Sequence, residues 1–375
     1  MALQPAESID LVVTSPPYPM IAMWDDMFGQ QQPMIARALQ KGAGNEAFEQ
    51  MHQLLDRTWD EVWRVLKPGG FACVNIGDAT RTVAGGFALY PNHVRLTAHM
   101  RDLGFTVLPC ILWRKQTNAP NKFLGSGMLP AGAYVTLEHE YLLVFRKGPK
   151  RAFTTQADKS RRRASAIFWE ERNAWFSDVW MDVKGTSQAL DKAGARPRSA
   201  AYPFEIAYRL INMYSVKGDT VLDPFWGTGT TTLAAIVSGR SSIGYEIDTA
   251  LAGVLDLPHR AILTSASQCL KQRLTQHIAF VLQRLQSGTR FKHTNVHYGF
   301  PVVTAQEKEL LFNRPAAFKK QGPNAYGVSY DNTPQAEFCR NWVPALQGPD
   351  VDKVLTELRT AFGNKNSGQM VLFDG

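Results

Sequence analysis

The chain has 375 residues, enough to bury a full-sized core in two or three domains, and its 45% hydrophobic and 20% charged residues make an ordinary globular balance. Its 41 Lys and Arg against 33 Asp and Glu give a net charge of +8, which suits a polyanionic partner. No run of about 18 apolar residues offers a membrane span, the start MALQPAESIDLVV lacks the basic region of a secretory signal, and Cys73, Cys110, Cys269 and Cys339 lie too far apart for a disulfide framework or a zinc ribbon.

In chain order, IDLVVTSPPY reads as a buried strand broken by a double proline. Phe28 to Gly44, rich in Gln and Gly, reads as a mobile loop that could gate a pocket. AFEQMHQLLDRTWDEVWRVL spaces its apolar residues three and four apart, as a helix does, with Trp59 and Trp63 toward the core and LKPGG stopping it at Gly69. FACVNIGD is a strand and NHVRLTAHMRDLGF a helix closed by Gly104. TVLPCILWRK, with a buried Cys110 thiol, and VTLEHEYLLVFRK are two further strands. From Arg146 to Arg163 the chain carries eight Lys or Arg against one Asp and shows no period, so it reads as an exposed connector or the start of an inserted module. The segment that follows, to about Arg198, is equally aperiodic.

PFEIAYRLINMYS then reads as a helix, DTVLDPF as a strand, TTTLAAIVSGR as a helix ended by Gly239, and SSIGYEID as a strand. Beyond Thr264 come a helical pattern from Cys269 to Leu285, loops punctuated by Pro and Gly, and a short amphipathic stretch near Val351 to Phe362. Repeated β-α alternation predicts a doubly wound α/β domain with a mostly parallel sheet.

Two places could carry chemistry. In the first, the strand TVLDPF leads through a Gly turn, Asp223-Pro224-Phe225-Trp226-Gly227-Thr228-Gly229-Thr230, into a helix and then a strand ending at Glu246. Open α/β sheets bind nucleoside cofactors at such a turn, and an acid about 20 residues on takes the ribose hydroxyls. The third glycine of a dinucleotide fingerprint and the Gly-Lys-Ser/Thr of a P-loop are both missing, so a nucleoside without a pyrophosphate fits, and S-adenosylmethionine is such a cofactor. Taken alone, GTG also reads as a plain strand-to-helix turn.

The second is Thr14-Ser15-Pro16-Pro17-Tyr18 at the end of the first strand. Two prolines remove amide donors and leave carbonyl acceptors, Ser15 adds another, and Tyr18 offers a flat face. Acceptors beside a stacking surface can hold the amino group of a flipped base. An isolated PPY reads equally as a turn that ends a strand.

Together the two motifs resemble the amino-methylating DNA methyltransferases. SPPY matches that family's catalytic tetrapeptide and DPFWGTGTT its cofactor loop. WRVLKPGGFACVNIGD, GFTVLPCILWRK, EHEYLLVFRKG and RSAAYPFEIAYRLI look like intervening elements, so the resemblance spans roughly residues 8–250. The tetrapeptide precedes the cofactor loop, the permuted order of the beta class. The resemblance implies a Rossmann-like fold, with catalysis by Ser15, Pro16, Pro17 and Tyr18. Cofactor contact would fall to Asp223, Pro224, Phe225, Gly227, Thr228, Gly229, Thr230 and Glu246, with Pro203 and Phe204 at the methionine end.

It also implies target recognition within 146–198, where Lys147, Lys150, Arg151, Lys159, Arg161, Arg162 and Arg163 would meet duplex DNA. Residues 1–145 would form the catalytic half, 199–264 the cofactor half and 265–375 an extension of unknown role. Serine in the first tetrapeptide position goes with cytosine N4 methylation in that family, with N6-adenine, RNA or protein as the alternative acceptor and a silent nucleic-acid-binding subunit as the non-enzymatic one. A cognate restriction endonuclease, a homodimer and a cytoplasmic, nucleoid-associated location are carried over in the same way. Two departures are visible. RSAAYPF stands where HPAPFP is common, and the acidic segment ahead of the catalytic strand has no counterpart in residues 1–8.

Other residues compete less well. Carbon-5 methylation would need a cysteine nucleophile, and Cys110 lies within a strand. His139-Glu140 does not open HExxH, because Leu143 holds the second His position. That pair reads as lying on a strand near the pocket mouth, in contact with solvent, the fold or substrate.

Overall fold

The computed structural model describes residues 1, 4–115, 124–185, 202–249, 251, 259–322 and 324–339. The first strand, β1 (Ile9–Thr14), is buried throughout. It leads to α1 (Asp25–Gln31), α2 (Pro33–Gln40) and α3 (Gly44–Val65), then β2 (Leu66–Ile76), the hairpin β3 (Ala79–Val83) and β4 (Gly86–Tyr90), and α4 (Asn92–Asp102). Next come β5 (Thr106–Arg114), the short hairpin β6 (Leu124–Gly125) and β7 (Ala133–Tyr134), and β8 (His139–Arg146). Two short helices, α5 (Gln156–Ala164) and α6 (Trp169–Trp175), precede β9 (Val179–Trp180). The second half holds α7 (Phe204–Tyr214), β10 (Thr220–Asp223), α8 (Thr230–Val237), β11 (Ser241–Gly244) and α9 (His259–Gln286), followed by two small hairpins, β12 (His293–Thr294) with β13 (Pro301–Val302) and β14 (Arg314–Gly322) with β15 (Ala325–Asp331).

Seven strands form one sheet in the order β11-β10-β1-β2-β8-β5-β9. β8 runs antiparallel to both neighbours, and the other pairings are parallel. The sheet buries both faces, as its alternation requires. Leu11 and Val13 of β1 enter one apolar cluster with α7, α8 and α9, while Val12 enters the other with Phe28, Met51, Trp59 and Leu96. The predicted doubly wound α/β architecture is therefore present.

Four local expectations are corrected. Phe28 to Gly44 is not a loop: α1 and α2 cover most of it, and Phe28, Ile35 and Ala38 are buried against α3. The predicted helix before LKPGG ends at Val65, because Leu66 is already extended and the LKPGG backbone pairs with the chain after β8, Gly69 N donating to Lys147 O at 2.6 Å. Cys110 is half-buried rather than buried.

The fourth concerns residues 146–198, whose described part is not an exposed connector. Phe168, Trp175 and Trp180 belong to the core, and β9 adds an edge strand beside β5. The helix α5 buries none of its residues, so it left no apolar period to read. Its N-terminal signature was present, though: Asp158 N donates to the Thr155 hydroxyl at 3.1 Å, a Thr-x-x-Asp cap. The region beyond Thr264 is also integral. Arg273 on α9 donates to both Glu171 oxygens, at 2.5 and 2.6 Å, and to Tyr208 Oη at 2.8 Å, pinning α9 to α6 and α7. The stretch Val351 to Phe362 lies outside the described residues.

Candidate functional site

Parallel pairing places the carboxyl ends of β1, β2, β10 and β11 along one edge of the sheet. From β1 the chain crosses to β2 through helices on one face, and from β10 it crosses to β11 through α8 on the other. The crevice between β1 and β10 is thus the point where the winding reverses, the place where open α/β sheets take their ligands. Both motifs open there.

They are joined directly. Thr14 Oγ1 donates to Asp223 Oδ1 at 2.5 Å, linking residues 209 apart in sequence. Thr231 Oγ1 donates to Asp223 Oδ2 at 2.6 Å, and Phe225 N donates to Oδ1 at 3.1 Å. Burial outweighs these bonds and raises the Asp223 carboxyl to about 6. Tyr202 meets the Thr231 hydroxyl through its own. That contact brings neighbouring Pro203, the N-cap of α7, and Phe204, which stacks on Tyr208 at 5.3 Å, to the same turn.

The glycine turn has three jobs. Gly227 is left-handed at φ +54, and the nearest atom to an added Cβ would be the Phe225 carbonyl at 3.9 Å, so the space above it is open to a ligand. Its N–H donates to Glu246 Oε2 at 2.7 Å, while Asp248 N donates to Oε1 at 2.8 Å. Each carboxylate oxygen keeps a lone pair for a diol. Gly229 and Gly244 instead make room for Trp226: a Cβ on Gly229 would lie 2.8 Å from its ring, and one on Gly244 would overlap it. The Trp226 indole N–H is anchored on Thr232 at 2.7 Å. Pro224 is buried, Phe225 points its ring toward Trp59 at 5.7 Å, Thr228 is half-buried, and Thr230 starts α8. An open left-handed glycine beside an anchored carboxylate at a strand end fits a nucleoside cofactor.

On the other side of the crevice, Pro16 and Pro17 are buried, and Ser15 and Tyr18 are half-buried. Ser15 Oγ lies 3.2 Å from Tyr18 Oη. Behind them stand Asn75 at the end of β2 and Glu140 at the start of β8, both in hydrogen-bond contact with Tyr18. Neither Asn75, Lys115 nor Tyr202 was singled out from the sequence; Glu140 was, on position alone.

The basic run lies elsewhere. Because β8 runs antiparallel, Arg146 pairs with Phe71 and Thr106 at the far edge of the sheet, away from Ser15 and Asp223. Lys147 is buried there, its Nζ donating to the Trp63 and Leu66 carbonyls at 2.8 Å each. Arg151 forks onto Asp219 at 2.7 and 3.0 Å. Arg162 covers Phe153, and Arg163 pairs with Glu309 at 3.3 Å. Lys150, Lys159, Arg161, Arg162 and Arg163 are exposed on this far side. The crevice edge carries two hairpins instead. Phe87 of β4 stacks on Tyr134 of β7 at 4.6 Å, and Met128, Leu129 and Val135 beside them are 80%, 70% and 86% exposed. Residues 186–201, within the expected recognition region, lie outside the described residues.

Comparison with known proteins agrees with this geometry. The chain is 49% identical over 325 residues to the Type II methyltransferase M.MthZI of Methanothermobacter thermautotrophicus, covering 86% of this chain and 90% of that one. It is 49% identical over 261 residues to the Type II methyltransferase M.MjaI of Methanocaldococcus jannaschii, covering 67% and 84%. Among solved structures, a DNA modification methylase of Thermus thermophilus, complexed with S-adenosyl-L-methionine, matches with a TM-score of 0.52 at 32% identity, over 68% of this chain and 86% of that one. The family model N6_N4_Mtase, described as DNA methylase, matches residues 9–253. With two joined motifs at the winding reversal and a match over most of its length, the chain belongs to the N6_N4_Mtase family of DNA methylases.

Proposed function

We propose that the protein transfers a methyl group from S-adenosylmethionine to the exocyclic N4 amino group of cytosine in a specific sequence of duplex DNA. The observation that carries this reading is the Thr14–Asp223 bond, which sets Ser15 and the open Gly227 turn on one crevice. When bound, the cofactor supplies an electrophilic methyl on a sulfonium sulfur. Glu246 would accept its ribose hydroxyls, the Gly227-to-Thr230 turn would approach it through backbone, and Phe225, Pro203 and Phe204 would border it. Asp223 holds the two walls together from beneath, through Thr14 and Thr231.

The amino nitrogen of a base is conjugated into its ring and is a weak nucleophile. Acceptors at Ser15 Oγ and the Pro16 carbonyl would take its two hydrogens and hold its lone pair in line with the methyl. Tyr18 would border the flipped base. Catalysis in this arrangement comes from orientation and fixed dipoles, with no covalent enzyme intermediate. Ser15 at the head of the tetrapeptide favours cytosine N4 over adenine N6.

The duplex must reach the crevice edge, so the stacked hairpins around Phe87 and Tyr134, with their exposed apolar tips, are proposed as a DNA-facing wall. Their position supports them over Lys147 and Arg151, whose cationic groups are bonded within the opposite edge.

Transfer of tritiated methyl from S-adenosylmethionine onto mixed genomic DNA, followed by nucleoside mass spectrometry, tests the reading. Labelled N4-methylcytosine that disappears in Ser15→Ala supports it. Labelled N6-methyladenine moves the assignment to adenine, and cofactor binding without label on DNA overturns DNA as the acceptor.

A further inference from the structure

Behind Ser15 and Tyr18 lies a polar cluster drawn from three strand ends. Tyr18 Oη donates to Glu140 Oε2 at 2.9 Å, and Asn75 Nδ2 donates to Tyr18 Oη at 2.8 Å and to Glu140 Oε2 at 2.9 Å. The other Glu140 oxygen receives Lys115 Nζ at 2.9 Å. Ser15 Oγ lies 3.2 Å from Tyr18 Oη and 3.4 Å from Asn75 Nδ2. The Glu140 side chain is 13% exposed. Asp78, the acid that follows β2, is engaged by His93 at 2.8 Å and stays out of the cluster.

Counting donors and lone pairs gives this cluster a direction. An ionised carboxylate can only accept, and a charged acceptor outcompetes a neutral one for a hydroxyl proton. The Tyr18 proton therefore points at Glu140. Burial, reinforced by Glu140, pushes the Tyr18 phenol well above its ordinary value, so that proton stays in place. With Asn75 on one lone pair, Tyr18 Oη has one acceptor site left, on the Ser15 side. The Ser15 hydroxyl donates into it and turns its own lone pairs to the crevice.

We propose that Glu140 is a positioning residue that fixes the direction of the chain Ser15 to Tyr18 to Glu140, so that Ser15 meets its substrate as an acceptor for an amino N–H and not as a donor. This rests on the amino-group reading above and holds for cytosine or adenine alike. An outward-pointing Ser15 proton would confront the amino hydrogens and disfavour binding in the reactive pose.

The test compares full-length wild type, Glu140→Gln, Tyr18→Phe and the double variant, using S-adenosylmethionine and mixed genomic DNA. Glutamine keeps the volume but adds an N–H donor, which turns the phenol proton back onto Ser15 and reverses the chain. Glu140→Gln should lose about 100-fold in kcat, the size of effect seen when one preorganised polar partner is removed. Its calorimetric affinity for S-adenosylmethionine and its KM for DNA should stay near wild type.

In Tyr18→Phe the chain is already cut, so adding Glu140→Gln should cost nothing more. Glu140→Asp, which remains acceptor-only, should recover part of the lost kcat. Wild-type kcat in Glu140→Gln overturns the proposal. So does an equal loss from Glu140→Gln in the Tyr18→Phe background, which would mark a merely structural carboxylate. Absence of methyl transfer by wild type itself overturns the amino-group reading, and the role assigned to Glu140 with it.

Discussion

Gly77 and Tyr18 are fitted to one another: a Cβ added at Gly77 would lie 3.1 Å from Tyr18 Cε2 and 3.3 Å from Glu140 Cγ. Both contacts are tighter than ordinary packing, and the ring is held on its far side by its hydroxyl bonds to Asn75 and Glu140. Gly77→Ala should therefore displace the ring rather than be absorbed. A displacement of a few tenths of an ångström at a reactive wall is expected to cost about 10-fold in kcat. Affinity for S-adenosylmethionine, measured by calorimetry, should not change, because the Gly227 turn is on the other side of the crevice. An unchanged kcat would show that the ring position is not critical.

Asp223 gives a pH prediction. Its carboxyl is raised to about 6 by burial, against 3.8 for the free group. A raised acid binds its proton more tightly in the folded state, so its stabilising contribution is complete below about pH 4 and is lost as pH rises through 6. A rise of that size corresponds to roughly 3 kcal/mol. Thermal melts from pH 4 to 7 should show wild type losing stability with rising pH relative to Asp223→Asn, which has no such titration. Parallel curves for the two proteins would refute the raised carboxyl.

The sequence made the strands and long helices legible because they carry a period: β1, α3, α4, β5, β8, α7, β10 and α8 all lie where alternation or three-four spacing puts them. It hid α5, which buries nothing, and β9, which is two residues long. Both motifs of the crevice were legible, and so was the chemistry of each. Their support was not. Glu140 meets Tyr18 across 122 residues, and Asn75 across 57, contacts that exist only after β1, β2 and β8 pair. The basic run misled for the same reason. Its charge is plain in the sequence, but the antiparallel course of β8 carries it to the far edge.

Glu246 should behave as a ligand residue and not as a structural one. It is half-buried, and its protein partners are two backbone N–H groups of the turn itself, Gly227 and Asp248. Hydrogen bonds to a charged group contribute about 1.5–3 kcal/mol. Glu246→Ala is expected to weaken S-adenosylmethionine binding by at least about 10-fold on that scale, with little change in melting temperature. Unaltered affinity would remove Glu246 from the proposed cofactor contacts.

Lys147 and Arg151 decide which edge faces DNA. The Lys147 ammonium closes two backbone carbonyls and lies 5.0 Å from the centre of the Trp63 ring, and Arg151 is committed to Asp219. Removing either partner leaves polar groups buried without bonds, so Lys147→Ala and Arg151→Ala should each destabilise the fold by about 2 kcal/mol. If they do not touch phosphate, the dependence of DNA affinity on salt should keep its slope, since each lost phosphate contact lowers that slope by about 0.9. Truncating the tip of the β6–β7 hairpin, by contrast, should weaken DNA binding at every salt concentration without moving the slope, because Met128 and Leu129 carry no charge. A reduced slope in Lys147→Ala or Arg151→Ala, with no loss in melting temperature, would return the DNA to the far edge of the sheet.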